Sequence, residues 1–330
     1  MKRKQHDTFP RAFMKLVCFL LALILIFLLG ATALFQQVLG KIHYTQPTAD
    51  FGTRLSRFVS SLASEGFGKQ SDLIGGTGSG IINILLVGQD RREGEETARS
   101  DTMILCTYHR KTGDVTMTSF LRDLYVPIPG HHSNRINAAY SEGGIALLDD
   151  TLRENFSVHI DGNIEVDFSQ FSQIIDLLGG VKLELREDEA EEINKETGSS
   201  LTAGTQLLNG EQALAYARIR KLDADGDFSR TNRQRKVMNA LLGSYRNIKW
   251  RDLLPLMDQL LPLISTDMNY GKLVLLAMEI LPKVSDARII SQRIPADGTY
   301  TDKKIDGMAV LAADLDANRE ILRKTLLNEE

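Results

Sequence analysis

Cysteine is almost absent from this chain of 330 residues, which contains only Cys18 and Cys106. Cys18 lies in an apolar run near the N-terminus and Cys106 in a strand-like run, so we expect the two not to pair. Their number and spacing exclude a disulfide framework and a cysteine-based zinc site. Because an extracytoplasmic protein can lack disulfides, this scarcity does not identify the compartment.

An excess of positive charge is also missing. The formal net charge is −4 at pH 7, whereas proteins that bind nucleic acid favour a basic domain. A site for phosphate groups would therefore have to be built locally, from clustered arginines rather than from the field of the whole molecule. We expect no nucleic-acid partner.

The short motifs of several common enzyme classes are absent as well. The sequence has neither a Gly-x-Ser-x-Gly elbow nor a His-Glu-x-x-His motif. The stretch "GGTGSG" at 75–80 precedes a predicted strand and is not followed by Gly-Lys-Ser/Thr, so it is interpreted as a flexible break rather than a nucleotide-binding loop.

A long apolar run, "LVCFLLALILIFLLGATALF", occupies residues 16–35 and follows several cations. Twenty apolar or small residues span roughly 30 Å as a helix, the thickness of the hydrocarbon core. The preceding cations predict a cytoplasmic N-terminus and an exported remainder. A retained anchor is favoured, with cleavage after the small-x-small sequence at 31–33 as the alternative.

The apolar pattern downstream predicts an α/β protein with one main sheet. "IINILLVG" (81–88) suits a strand buried on both faces, and two further strands joined by the turn "RKTGD" indicate a hairpin. Strands mixed with covering helices favour an α/β sandwich. The predicted strands are 81–88, 101–109, 114–122, 181–185 and 287–294, and the predicted helices are 143–156, 168–180, 209–220, 233–248, 251–264, 270–282 and 307–328. The predicted organisation is a cytoplasmic N-terminus (1–15), a transmembrane anchor (16–35), an extracellular stalk or linker (36–80) and an extracellular catalytic domain (81–330).

Two aspartates lie at neighbouring strand ends. Asp90 follows the first strand and Asp101 begins the next. The carboxyl ends of strands are the usual place for functional groups in open α/β sheets. Two such carboxylates can share Mg²⁺, which typically takes one or two carboxylates together with phosphate oxygens and water. The alternative, two ordinary surface turns, stays open on spacing alone.

Arginines recur at strand ends and in loops, at Arg92, Arg122 and Arg135, and they cluster in "YARIRKLDADGDFSRTNRQRK" (216–236). One such arginine is ordinarily solvated or salt-bridged, but several separate segments favour a phosphate site because the guanidinium fork holds phosphate oxygens in pairs. The aspartates inside this stretch do not form an EF-hand, since Phe228 and Gln234 stand where that loop needs glycine and glutamate. We expect them to make turns or to pair with arginine.

Several short motifs follow one another over about residues 80–330, and each motif alone is weak. The motifs are Gly-x-Asp-x-Arg (88–92), Ser-Asp-Thr (100–102), Arg-Asp (122–123), "RINAAY" (135–140), "LGGV" (178–181), "LNGEQALAYARIRK" (208–221) and "DFSRTNRQR" (227–235). The ordered set resembles the LytR-CpsA-Psr family.

The resemblance implies a three-layer α/β/α sandwich with a mixed central sheet. It also implies a single-pass protein of the bacterial cell membrane, with its C-terminal domain outside, that acts as a phosphotransferase. Such an enzyme moves an anionic glycopolymer of the teichoic acid or capsule type from a polyprenyl-diphosphate carrier to peptidoglycan through a phosphodiester. Mg²⁺ is the implied cofactor, with Mn²⁺ as a substitute.

The resemblance, together with the chemistry it implies, gives each candidate residue an expected role. Asp90 and Asp101 are expected to hold the metal, and the catalytic set is Asp90, Arg92, Arg122 and Asp123, with either Asp123 or Asp90 as the acceptor of the hydroxyl proton. The diphosphate is expected to contact Arg92, Arg122, Arg135, Arg218, Arg220, Arg230 and Gln234. A lipid tunnel is expected from Leu147, Phe156, Phe171, Ile174, Ile175, Val237, Leu241 and Leu242, for which ordinary core packing is the alternative. Lys221, Arg233, Arg235 and Lys236 are expected to be surface or headgroup charges.

Three other functions stay open at this point. The chain could be a hydrolase of the polyprenyl diphosphate, a membrane-bound transcriptional regulator or attenuator without catalysis, or a module that binds envelope lipid without turnover. A regulator would have to act through the short segment before residue 16, which is too short to fold as a DNA-binding module.

Overall fold

The computed structural model of the protein describes residues 43–44, 73–76, 80–90, 99–223, 227–244, 250–284 and 287–327. The strands are β1 (His43–Tyr44), β2 (Ile81–Asp90), β3 (Arg99–His109), β4 (Val115–Phe120), β5 (Tyr125–Val126), β6 (Asn134–Arg135), β7 (Gly162–Asp167), β8 (Val181–Leu185), β9 (Gly204–Leu208), β10 (Ser265–Thr266), β11 (Ile289–Ile294), β12 (Tyr300–Ile305) and β13 (Met308–Ala313). The α-helices are α1 (Ile136–Phe156), α2 (Phe168–Leu177), α3 (Glu187–Thr197), α4 (Gly210–Arg218), α5 (Asp227–Ser244), α6 (Trp250–Leu260), α7 (Tyr270–Val284) and α8 (Leu315–Leu327), and a 3₁₀ turn covers Leu261–Leu263.

A mixed sheet of seven strands forms the centre, in the order β1-β10-β7-β2-β3-β4-β11. The chain runs antiparallel from β2 through β3 to β4, whereas β7 pairs with β2 and β11 pairs with β4 in parallel. The predicted hairpin and the predicted strand near 287–294 are therefore confirmed. The long central strands place the ends of β2, β3 and β4 near one another, which is where the candidate site lies.

Strand β2 is buried on both faces, as its continuous apolar sequence predicts. Leu85 and Val87 point into a core that includes residues of α1 and α8, while Ile82 points into the core on the other face. Met238 of α5 and Leu276 of α7 pack against that second core. The architecture is thus helix, sheet, helix, as expected.

A smaller cluster, called here the satellite cluster, is built from α2, β8, α3, β9, α4 and part of α5. Its hairpin of β8 and β9 is separate from the central sheet. Tyr216 of α4 and Ile175 of α2 are fully buried in it. Helix α5 belongs to both parts, because Val237 packs into the satellite cluster while Met238 packs against the sheet.

The predicted helix at 307–328 is wrong in its first third. Residues Met308–Ala313 form strand β13, which pairs with β12, and the helix spans only Leu315–Leu327. The turn between the strands is Asp306-Gly307, with φ of 49° and 81°. Both residues occupy the left-handed region that a two-residue hairpin needs, and Asp-Gly is a recognised sequence signal for that turn.

Helix α1 begins at Ile136, seven residues before the predicted start, and it is interrupted by non-helical backbone at Gly143 and Gly144. Helix α3 and strand β9 were not predicted. The segment predicted as a linker contributes Ile74, which is 1% exposed and bridges to Val158, and the edge strand β1.

The predicted anchor at 16–35 lies outside the described residues. Within the part of the chain that the structure describes, no helix combines the length and the hydrophobicity needed to cross a bilayer.

Candidate active site

A carboxylate surrounded by arginines marks the candidate site. Asp101 is the extra residue of a β-bulge in β3, because Thr102 pairs with Gly88 while Ser100 pairs with Gln89. A bulge re-aims a side chain at a strand end. The Asp101 carboxylate accepts a hydrogen bond from Nη1 of Arg122 at 3.0 Å and another from Nη2 of Arg220 at 3.1 Å.

A third guanidinium completes this group. Nη1 of Arg230 lies 3.8 Å from Oδ2 of Asp101, and the Arg230 side chain is only 3% exposed. Arg122 follows β4, Arg220 follows α4 and Arg230 lies in the first turn of α5, so three elements converge on one carboxylate. Three cations around one anion leave an excess of positive charge, and the positive end of the α5 dipole adds to it. This arrangement suits a phosphate-bearing ligand.

Asp123 connects the group to a second part of the chain. Nε of Arg122 lies 3.5 Å from its Oδ2, and Nε of Arg135 lies 3.2 Å from its Oδ1. Arg135 also donates from Nε to the carbonyl oxygen of Ala309 at 3.1 Å. The guanidinium predicted to grip a diphosphate therefore contacts Asp123 and the β12–β13 hairpin.

A cavity of about 200 Å³ opens beside these residues. Polar and apolar side chains share its wall, and the hairpin supplies about half of them. The lining residues are Leu121, Arg122, Asp123, Phe228, Arg230, Asp302, Lys303, Ala309, Val310 and Leu311. Sequence reasoning missed the hairpin members because their strands were predicted as loop and helix, and the Asp306-Gly307 turn was the signal available.

Not every predicted ligand of the diphosphate joins this group. Nη1 of Arg218 lies 3.3 Å from Oε1 of Glu196, and the guanidinium lies over the ring of Phe168. Gln234 is partly buried on α5 and does not line the cavity. Arg92 lies outside the described residues, as does the side chain of Asp90, whose backbone pairs with Arg99 at the end of β2.

Arg233 was predicted as a surface charge, and that prediction is wrong. Its side chain is 4% exposed and donates from Nε to Oε1 of Glu189 at 2.9 Å. It also pairs with Asp223. The guanidinium of Arg186, and next that of Arg233, lowers the pKa of Asp223. Asp223 therefore pairs with arginine, as the sequence predicts, and holds the end of α4 against α5.

The eight residues predicted as a lipid tunnel belong to more than one apolar cluster. Phe156 lies in the core shared by α1 and α8, where Leu147 packs against it. Ile175 and Val237 are buried in the satellite cluster, with Phe171 and Leu241 packed against it. Leu242 packs against the opposite face of the sheet, and Ile174 is partly buried on α2. Phe156, Ile175 and Val237 are at most 1% exposed and pack as core residues here, and the tunnel stays a prediction.

The residues present fit the implied metal by their chemistry. No group of three or more His, Cys, Asp or Glu side chains forms a metal site among the described residues. Mg²⁺ does not need such a group when phosphate oxygens and water complete its shell. Asp101 offers carboxylate oxygens beside Ser100, whose buried hydroxyl has no hydrogen-bond partner among the described residues.

A buried polar network lies behind the strand end. Glu165 of β7, 2% exposed, accepts hydrogen bonds from Nε2 of Gln89 and from the hydroxyl of Tyr140. Glu165 and Gln89 were not predicted as site residues, and Tyr140 was noted only as part of a motif. The network fixes the side chain that precedes Asp90 and so stiffens the end of β2.

Comparisons with known proteins agree with the fold and the motifs. The chain is 37% identical over 178 residues to the polyisoprenyl-teichoic acid–peptidoglycan teichoic acid transferase TagT of Bacillus subtilis, covering 52% of this chain and 55% of that protein. It is 31% identical over 274 residues to biofilm regulatory protein A of Streptococcus mutans, covering 77% and 66% respectively. The chain thus spans between about half and two thirds of these relatives.

A solved structure of the LytR-CPS2A-psr family protein YwtF (TagT) with bound octaprenyl pyrophosphate lipid is also similar. It superposes with a TM-score of 0.60 at 26% identity, covering 78% of this chain and 94% of that one. The model of the LytR_cpsA_psr family matches residues 59–325. The chain therefore belongs to the LytR-CpsA-Psr family.

Proposed function

We propose that this protein is a membrane-anchored phosphotransferase that moves an anionic glycopolymer from a polyprenyl-diphosphate carrier to peptidoglycan. One observation carries the proposal: Arg122, Arg220 and Arg230 converge on Asp101 beside a cavity. The teichoic acid transferase name of one relative and the pyrophosphate lipid bound to a similar structure support the choice of substrate. The apolar run at 16–35 supports the anchor.

The arginines bind the diphosphate by replacing the Asp101 carboxylate with phosphate oxygens. Charge neutralisation and in-line positioning are the main requirements of phosphoryl transfer, and fixed cations supply both. Asp101, together with Asp90, would hold Mg²⁺, which neutralises phosphate charge when bound.

The reaction that follows forms one bond and breaks one. The acceptor hydroxyl of peptidoglycan attacks the phosphorus that carries the glycopolymer. The bridging P–O bond of the diphosphate breaks, and prenyl monophosphate leaves with the bonding electron pair. Asp123 lies at the cavity wall and takes the hydroxyl proton. The arginines stabilise the charge that develops on the leaving phosphate.

The full chain in detergent micelles, given prenyl-diphosphate saccharide, peptidoglycan oligomers and Mg²⁺, tests this proposal. Mass spectrometry should detect the phosphodiester product, and Arg122→Ala should reduce its rate by about 100-fold or more. Arg110→Ala is the matched control, since Arg110 is exposed and pairs with Glu279 at 3.1 Å. Equal rates for wild type and Arg122→Ala would refute the proposal.

The same assay separates the alternatives. Release of prenyl phosphate without a sugar–peptidoglycan product would identify a hydrolase. Bound lipid without either product would identify a binding module. Two observations favour a regulatory role as the alternative. One relative has a regulatory name, and its similarity covers 77% of this chain. Transfer by the purified chain would show that this name does not describe its chemistry.

A further inference from the structure

The β12–β13 hairpin is fastened to the loop that carries Arg122. The amide of Leu311 donates to the carbonyl oxygen of Asp123 at 2.9 Å, and Leu124 forms a parallel bridge with Leu311. Arg135 adds its bond to the carbonyl oxygen of Ala309 at 3.1 Å. These contacts fix one wall of the cavity relative to the other, so a side chain on the hairpin has a defined position in the site.

Lys303 is the cation that this wall contributes. It lies on β12 opposite Val310, and both residues line the cavity. The side chain of Lys303 makes no hydrogen bond or ion pair with any described residue. Its neighbour Lys304 has the same charge and is also exposed, but it does not line the cavity. Because successive residues of a strand point to opposite faces, the side chains of Lys303 and Lys304 leave β12 on opposite sides.

The charges around the cavity differ in how far they are already neutralised. Arg122 contacts both Asp101 and Asp123, and Asp123 also contacts Arg135. Lys303 lines the same cavity without an ion pair to a carboxylate among the described residues, and its chain neighbour Asp302 lines the cavity too. The first turn of α5, which carries Phe228 and Arg230, brings the positive end of a helix to the same cavity.

We propose that Lys303 binds a phosphate group of the lipid-linked substrate. This inference rests on the proposed function. The cavity, about 200 Å³, is smaller than the 300–1,000 Å³ typical of small-molecule sites, so it has room for one phosphate or one sugar ring. The phosphate is either that of the carrier diphosphate or one within the glycopolymer.

Binding measurements on the full chain in detergent micelles distinguish these two sources. The probes are a prenyl diphosphate, the same lipid with a neutral disaccharide, and the same lipid whose disaccharide carries a phosphoglycerol unit. We expect Lys303→Ala to raise Kd about tenfold, as the loss of one charge-assisted contact implies. A rise for all three probes assigns the carrier diphosphate, and a rise for the third alone assigns the polymer phosphate.

Two further variants make the test specific. Lys303→Arg keeps the charge and should bind almost as wild type does, and Lys304→Ala should leave Kd unchanged for every probe. The inference is overturned if Lys303→Ala and Lys304→Ala give the same Kd for all three probes, or if wild type binds none of them. Binding without transfer would instead refute the phosphotransferase, and the binding data would still test the role of Lys303. Equal melting temperatures of the variants and wild type would exclude misfolding.

Discussion

Asp101 acts at the scale of a single side chain, because one carboxylate orients two guanidiniums by hydrogen bonds and lies near a third. Its position could be predicted from the sequence, as could the contributions of Arg122, Arg220 and Arg230. The different direction of the Arg218 side chain could not be predicted. Arg218 and Arg220 lie close together at the end of α4, and the sequence does not show which way each side chain points. The partners of Arg218, Glu196 and Phe168, lie on other elements of the fold.

Asp101→Asn should separate binding from transfer. The amide keeps the shape but not the charge, so the arginines lose their internal competitor, and Kd for prenyl diphosphate without Mg²⁺ should fall several-fold. Transfer should drop about 100-fold, because the aligning anion and the proposed metal ligand are lost. Calorimetry and the transfer assay measure the two effects. Asp306→Asn in the exposed hairpin turn is the control, and weaker binding by Asp101→Asn would contradict this interpretation.

Asp149 of α1 gives a pH-dependent contribution to stability. Burial raises its pKa from 3.8 to about 7, the charges of Asp267, Asp150 and Glu165 add to the rise, and a hydrogen bond from Asn163 opposes it. A group whose pKa is raised by folding stabilises the fold below its unfolded pKa and loses that contribution as pH rises through the folded value. The window is therefore about pH 4 to 7.

Asp149→Asn should remove this pH dependence while keeping an acceptor for Asn163. The free energy of unfolding of the variant minus that of wild type should increase by about 2 kcal/mol from pH 5 to pH 8. Urea unfolding at the two pH values measures the change. Asp316→Asn is the control, since Asp316 is exposed on α8 and pairs with Arg319 at 2.7 Å. A pH profile parallel to that of wild type would show that Asp149 does not titrate in this window.

At the scale of elements, the hairpin is the part that sequence reasoning misread. The run "MAVLAA" has no periodicity that separates strand from helix, and it leads directly into the apolar face of α8. The strands 81–90 and 99–109 were predictable because both carry long apolar runs with a turn signal after the second. Lys303 could not be predicted as a site residue without the hairpin that carries it.

Arg135→Ala should loosen the hairpin without unfolding the sheet. It removes the bond to Ala309 and the ion pair with Asp123, so the Leu311 amide should exchange with solvent about tenfold faster. Hydrogen exchange read by mass spectrometry reports this on peptides covering 306–314. Arg153→Ala, on the far end of α1, should leave those peptides unchanged. An unchanged exchange rate in Arg135→Ala would show that the backbone contacts alone hold the hairpin.

At the scale of the whole folded unit, the site depends on two cores. Arg122 is carried by the sheet, whereas Arg220 and Arg230 flank the connection between α4 and α5 at the edge of the satellite cluster. That connection is held by the buried pair of Arg233 and Glu189, together with Asp223. Sequence reasoning placed Arg233 at the surface because its partner Glu189 lies on α3, a helix it did not identify.

Arg233→Ala should destabilise the protein by about 3–5 kcal/mol, since it leaves the Glu189 carboxylate buried without its cation. At this chain size each kcal/mol corresponds to about 2–4 °C in Tm, so differential scanning calorimetry should show a fall of about 6–20 °C. Lys236→Ala, exposed on the same helix, is the control. A fall no larger than that of the control would show that water compensates Glu189.

The carboxylate at the centre of the arginines has a consequence for turnover. To displace Asp101 from Arg122 and Arg220, a ligand has to offer more anionic oxygens than one carboxylate does, so we expect a diphosphate to compete well and simple monovalent anions to compete poorly. In the proposed reaction the prenyl product keeps only one of the two phosphates. With fewer phosphate oxygens left to occupy the guanidiniums, we expect Asp101 to regain its two arginines, which would help to expel the spent carrier and return the site to its starting state.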